Sequence, residues 1–323
     1  MISFIAQRIA KAIVVLLALV VLNFFLIRMA PGDPALVMAG EAGAGDQVFL
    51  AQLREKFGLD QPLPVQLFLY VKGILRLDLG FSFRQQMPVA TLILQRLPAT
   101  LLLTGTAFAI SLGFGILFGA LAARFAGTWA DTAITVLALI FYATPLFWVA
   151  LMAILLFSVA VDWLPSFGYE SVGANYTGLA HVLDVAAHLV LPATTIGLFF
   201  MATYARMTRA SMLEVNRLDF VKTARAKGLS DTVIQRRHVL RNALLPVVTL
   251  AGLQAGTLVG GAVLTETVFA WPGIGRLMYE ALLQRDYNLL LGVFVVCSAM
   301  VLAFNLITDL VYRSVDPRIE FAS

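Results

Sequence analysis

Residues 98–122 read PATLLLTGTAFAISLGFGILFGALA, an apolar run with no acidic or basic side chain. A helix that crosses the hydrocarbon core of a bilayer needs about 20 such residues. Working outward, five further runs meet the same requirement, at about 9–29, 132–161, 189–208, 244–268 and 289–312. The expected fold class is therefore all-α, a polytopic membrane protein with six transmembrane helices. Composition agrees. Hydrophobic residues make up 60% of the 323, charged ones 13%, and the mean hydropathy is +0.88. Soluble domains carry about 25% charged residues. The net charge of +4 is modest, and nothing points to nucleic acid.

Details of the runs set further expectations. Pro145 inside 132–161 predicts a kink or a break there. His188, Pro192 and the Thr194-Thr195 pair weaken the start of 189–208, and Arg206 and Arg209 are expected to end it. The first run, with Arg8 and Lys11 ahead of Ala12 to Ile27, has the form of a signal peptide. It is long, and Arg28-Met29-Ala30-Pro31 is a poor cleavage site, so an uncleaved helix is expected. The only cysteine is Cys297, which excludes a disulfide within the chain.

Lys and Arg orient the spans. With the N-terminus inside, the inner segments hold Arg8 and Lys11, then Arg124, then nine basic residues between Arg206 and Arg241, then Arg313 and Arg318. The short outer loops hold none in 162–188 and only Arg276 and Arg285 in 269–288. Both termini are expected in the cytoplasm. The chain divides into an N-terminal helix (1–29), an extracytoplasmic subdomain (30–97), a core of five spans (98–312) containing a basic loop at 209–243, and a tail (313–323). Within 30–97, Gln52 to Phe57 can form a short helix closed by Gly58. A second can run from Val65 to Leu75 after Pro62 and Pro64.

Small residues recur every four positions as Ser111, Gly115 and Gly119, and again as Gly252, Gly256 and Gly260. Each set lies on one helix face and permits close backbone approach. Packing within the chain and pairing with another subunit are both open, and either way the faces should be buried against protein.

The basic loop is the most informative part. Val215, Leu218, Val221 and Ala224 form a narrow apolar stripe. Gly228 is a natural stop in the left-handed conformation, and Ser230 can cap a second helix with Asp231 in its first turn. That helix should run through Arg236, Arg237 and Arg241 to Pro246. A helix, a glycine turn and a second helix make a stiff projection suited to transmitting force. The competing reading is a basic amphipathic segment on anionic lipid.

The residues Asp219-Phe220-Val221-Lys222-Thr223-Ala224-Arg225-Ala226-Lys227-Gly228-Leu229 resemble the cytoplasmic "EAA" loop of permeases from ATP-driven importers. Lys222-Thr223-Ala224 stands at the Glu-Ala-Ala position. The missing Glu and the long distance to Leu245-Pro246 match the dipeptide/oligopeptide/nickel branch. Further likeness to that branch lies in Leu26 to Pro34, Phe57 to Leu63, Leu77 to Ser82, Glu266 to Gly275 and Val315 to Arg318. The chain is thus similar to the first permease subunit of this importer family, with the type I permease fold. The resemblance implies that Asp219 to Leu229 form a coupling helix seated on an ATP-binding subunit. Arg225 and Lys227 would be polar contacts, and Phe220 and Val221 apolar anchors. It implies a complex with a second homologous permease, two ATP-binding subunits and an extracytoplasmic solute-binding protein, in the inner membrane. Cargo would be di- or oligopeptides, with nickel, glutathione or haem as alternatives. No Gly-x-x-x-x-Gly-Lys-Ser/Thr loop occurs in the chain, so ATP and Mg belong to partner subunits and this chain needs no cofactor and is no enzyme.

Polar residues inside spans are candidates for the transport path or its outer gate. They are Glu266, Asn305 and Asp309. An ion pair with Arg313 competes for Asp309, and bracing of the Trp271-Pro272-Gly273 turn competes for Glu266. His181, His188 and His238 do not make a metal-ligand set. An ion-coupled secondary transporter is the rival of another class. It should show buried acidic relays and inverted repeats, and neither is evident.

Overall fold

The computed structural model describes residues 2–29, 46–56, 60–82 and 84–315. The elements run α1 (Ile2–Arg28), α2 (Gln47–Lys56), α3 (Leu63–Leu75), a hairpin of β1 (Phe81–Ser82) and β2 (Met87–Pro88), α4 (Val89–Arg124), α5 (Trp129–Ala143) and α6 (Leu146–Ala153). Then follow α7 (Leu179–Val215), α8 (Asp219–Ala226), α9 (Asp231–Val233), α10 (Arg241–Gly261), α11 (Val263–Val268), α12 (Ile274–Leu283) and α13 (Tyr287–Val315). Among the described residues, five helices are long and apolar enough to cross a membrane, and six if the bent pair α5 and α6 forms one span.

The break in that pair is the one Pro145 predicts. Thr144 precedes the proline and is extended, with ψ 134°, because the proline ring disfavours a helical conformation at the residue before it. The two helices meet at 102°. A π-helical stretch, Ile154–Ala160, prolongs α6. Pro192 has the opposite outcome. Instead of a weak start near 189, α7 runs unbroken from Leu179 through Pro192 to Val215. The Thr194 and Thr195 hydroxyls donate to the Val190 and Leu191 carbonyls at 2.6 and 2.8 Å, so both threonines are accommodated within the helix. Arg206 and Arg209 do not end the helix either. Arg206 stacks 4.9 Å from the Tyr142 ring centroid, and Arg209 is paired with a carboxylate.

The chain forms two compact units. The first holds the described residues up to 100 together with 272–303. Its core gathers Val89, Leu92 and Ile93 of α4, Ile274 and Leu277 of α12, and Leu289 and Val293 of α13. Buried and part-buried polar bonds fix the register. Ser82 Oγ donates to Asp286, Asn288 donates to the Phe81 carbonyl at 3.0 Å, and the Ile274 N–H donates to Thr100 Oγ1 at 2.7 Å. Helices α2 and α3 start earlier than read from the sequence, at Gln47 and Leu63. The closing glycine expected at Gly58 lies outside the described residues. Helix α12 occupies a stretch read as a plain loop, and α4 begins at Val89 rather than Pro98. Pro98 therefore lies inside α4, where it has no N–H to donate to the Leu94 carbonyl.

The second unit holds residues 101–271 and the described residues from 304 onward. Here the small-residue stripes are packed within the chain. A methyl group on Gly119 would lie 2.5 Å from the Ala205 carbonyl oxygen and 2.6 Å from Thr208 Cβ, and one on Gly115 would collide with Tyr204. Helices α4 and α7 therefore touch backbone to backbone. Gly252 of α10 likewise abuts Thr308 of α13, whose hydroxyl donates to the Gly252 carbonyl at 3.0 Å. Gly256 is buried, and Gly260 carries no described surroundings.

Candidate functional site

The segment after α7 turns sharply at Asn216 to Leu218, and α8 begins at Asp219. The apolar stripe read as one helix is divided by this turn. Val215 ends α7, Leu218 is the extended residue ahead of α8 and 46% exposed, and Val221 and Ala224 point inward. Val215, Val221 and Ala224 nevertheless converge on one core with Ala123, Met212, Ile234, Val239 and Ala243. Four segments thus grip α8 from beneath. Asn216 and Gln235 add a side-chain amide bond at 3.0 Å between the end of α7 and the strand of chain that returns.

Helix α8 ends as a glycine stop should. The Leu229 N–H reaches the Ala224 carbonyl at 3.3 Å, and the Gly228 N–H the Arg225 carbonyl at 2.9 Å. Together these two bonds are the Schellman arrangement. It requires the left-handed backbone at Gly228, where φ is +76°. No atom stands within 4 Å of where a Gly228 Cβ would be. Glycine is needed here for backbone conformation, not for space.

What α8 leaves outside is mixed in character. Phe220 and Leu229 are 41% and 40% exposed. Lys222, Thr223, Arg225, Ala226 and Lys227 are exposed with them. Lys222 pairs with Asp219 at 2.8 Å, a surface contact worth little to stability. Val221 is wholly buried in the chain's own core, so it holds the elbow in place and is not on its outer face. Ser230 adopts the extended cap conformation, but its side chain makes no cap bond. After it, α9 passes at once into a π-helical stretch, Ile234–Leu240, and then into α10. Pro246 falls inside α10, not at its start.

Two of the three polar span residues have described side chains. Glu266 is fully buried in α11, and its carbonyl accepts the Trp271 N–H at 2.8 Å. Asn305 is exposed on α13. Asp309 lies in the same helix, but its side chain and that of Arg313 fall outside the described residues. An ion pair that sequence reading missed lies on the α7 side of the elbow. Asp131 of α5 receives two bonds from Arg209 of α7, Nε at 2.6 Å and Nη2 at 2.7 Å. Gly127 N–H adds a third at 3.0 Å. The available signal was a lone acid, Asp131, and a pair of bases, Arg206 and Arg209, at the ends of neighbouring apolar runs.

Comparison with known proteins converges on one class. Residues 115–321 match the family model described as binding-protein-dependent transport system inner membrane component. Residues 1–104 match that of its N-terminal part. The dipeptide transport system permease protein DppB of Escherichia coli (strain K12) is 40% identical over 337 residues, covering 99% of each chain. A Brucella abortus (strain 2308) protein, provisionally named a peptide transport system permease protein, is 39% identical over 321 residues, covering 99% of this chain and all of its own. Among solved structures, the MetNI methionine ABC transporter in an inward-facing form superposes with a TM-score of 0.56 at 22% identity, over 70% of this chain and 97% of that one. At that identity the likeness concerns the fold alone.

Proposed function

Given that the chain belongs to the family of binding-protein-dependent transport system inner membrane components, we propose that it conducts di- and oligopeptides and is driven through the α8 elbow. The chain is a multi-pass membrane permease subunit of an ABC importer and not itself an enzyme. In the proposed assembly it pairs with a second, homologous permease. Two ATP-binding subunits, which hold ATP and Mg, sit against the cytoplasmic face, and a solute-binding protein delivers cargo from outside. Both termini are cytoplasmic, and segment 30–97 is extracytoplasmic. The peptide cargo rests on the names of relatives about 40% identical along their full length.

One observation carries the coupling role. Helix α8 is gripped from inside by Val221 and Ala224 while Phe220, Thr223, Arg225 and Leu229 remain outward. A short helix so anchored cannot tilt alone. A push on its outer face moves α7 and the chain leading into α10 with it, a rigid-body shift. Asp219, Lys222, Ala226, Lys227 and Gly228 complete the contact segment.

Cysteine crosslinking tests this in the assembled importer. With Cys297→Ser as background, Phe220→Cys or Thr223→Cys is expected to crosslink to the ATP-binding subunit, and the yield should change with nucleotide. An intact complex that gives no crosslink from either position would refute the seat. Uptake in proteoliposomes tests the cargo, since stimulation by nickel or haem but by no peptide would remove the peptide assignment.

The elbow's glycine gives a graded expectation. A side chain at φ +76° meets a penalty of roughly 1–2 kcal/mol from its own backbone, and asparagine tolerates this region better than other residues. ATP-coupled uptake should therefore fall in the order Gly228→Asn, Gly228→Ala, Gly228→Val, with ATPase activity less affected than uptake. Equal uptake in all three would show that the Schellman stop is dispensable.

A further inference from the structure

The π-helical stretch Ile234–Leu240 leads into α10 and borders an open concavity of about 900 Å³. Arg236, Arg237, His238 and Arg241 line it, beside Leu240 and Leu244. The three arginines are exposed. Unlike Arg209 and Lys222, none of them makes an ion pair among the described residues. We propose that this concavity is a binding site for the phosphate headgroup of an anionic phospholipid.

Three features choose the ligand. A guanidinium presents a planar fork of donors that matches phosphate oxygens two at a time, and three of them converge here. The cluster then passes without interruption into an apolar helix. Leu245 and Leu253 of α10 are outward-facing, the latter 62% exposed, and α10 belongs to a candidate membrane span. Acyl chains can lie on those leucines while the headgroup meets the arginines. An acidic protein segment would satisfy the charges but would leave the leucines without a partner. Finally, Arg236 and Arg237 sit in π-helix, a rare backbone form that is frequent at functional sites. The His238 carbonyl in that stretch accepts a 2.6 Å bond from Asn242, which braces the turn facing the cluster.

The inference rests on α10 crossing the membrane and not on the α8 seat, so the crosslinking result above does not decide it. A bound lipid here would tie the chain between elbow and span to the bilayer surface. Each basic residue near an anionic surface is worth about a fivefold change in affinity, and the three arginines together about a hundredfold. The test uses the whole importer in nanodiscs with phosphatidylglycerol titrated into phosphatidylcholine, read by native mass spectrometry. Wild-type complex should retain phosphatidylglycerol selectively. Arg236→Gln/Arg237→Gln/Arg241→Gln should weaken that retention about a hundredfold. If the triple variant fails to assemble, Arg236→Gln and Arg237→Gln alone should each weaken it about fivefold. Unchanged retention in these variants would overturn the proposal. So would loss of the ATP-binding subunits with lipid retention intact, which would make the patch a protein contact. Displacement of the lipid by millimolar inorganic phosphate would likewise overturn it, in favour of a free-anion site.

Discussion

Asp131→Asn and Arg209→Gln are each expected to destabilise the permease by about 3 kcal/mol, and the double replacement by less than either. The Asp131 side chain is 7% exposed and that of Arg209 33%. Removing one partner of a largely buried pair leaves an uncompensated charge, at a penalty of roughly 3–5 kcal/mol. The lower figure applies because a third of Arg209 reaches solvent. Removing both leaves no stranded charge, so the double variant recovers part of the loss. The pair joins α5 to α7 through two parallel bonds at 2.6 and 2.7 Å. Since α7 leads directly to the elbow, uptake should fall further than assembly does in the single variants. Thermal unfolding of the detergent-solubilised complex, with uptake measured beside it, checks both statements. Additive losses in the double variant would mean that the two side chains act separately.

Gly119→Val should abolish assembly, and Gly119→Ala should already impair it by about 3 kcal/mol or more. The obstacle is backbone. A Cβ would stand 2.5 Å from the Ala205 carbonyl oxygen and 3.1 Å from Ala205 Cα, and neither atom can rotate away as a side-chain tip would. Helices α4 and α7 must part, and overpacking of this kind typically costs about 1–3 kcal/mol before any loss of neighbouring contacts. Those neighbours include the packing of Tyr204 against Val247 and Ala251. A control lies on the same helix. Gly113 has no atom within 4 Å of its would-be Cβ, so Gly113→Ala should be neutral or stabilise α4 by up to about 1 kcal/mol. Expression level and size-exclusion profile of the two alanine variants separate the cases. Equal behaviour would refute the close approach.

Much of this protein was legible as one-dimensional pattern. Long apolar runs marked the spans because lipid demands a fixed length of apolar helix. Pro145 marked a break and Gly228 a stop because both effects are local to the backbone. The order of short motifs from Leu26 to Arg318 pointed to the importer family, which the relatives bear out. Other features needed partners distant in the chain. Whether Pro192 breaks a helix depended on the helices that pack around α7. The small-residue faces could have met any neighbour until Ala205 and Thr208 were seen against Gly119, and Thr308 against Gly252. The Asp131–Arg209 pair joins residues 78 positions apart, and no spacing rule reaches that far. Local backbone preferences are written residue by residue, whereas charge pairing and close packing depend on which surfaces the folded chain brings face to face.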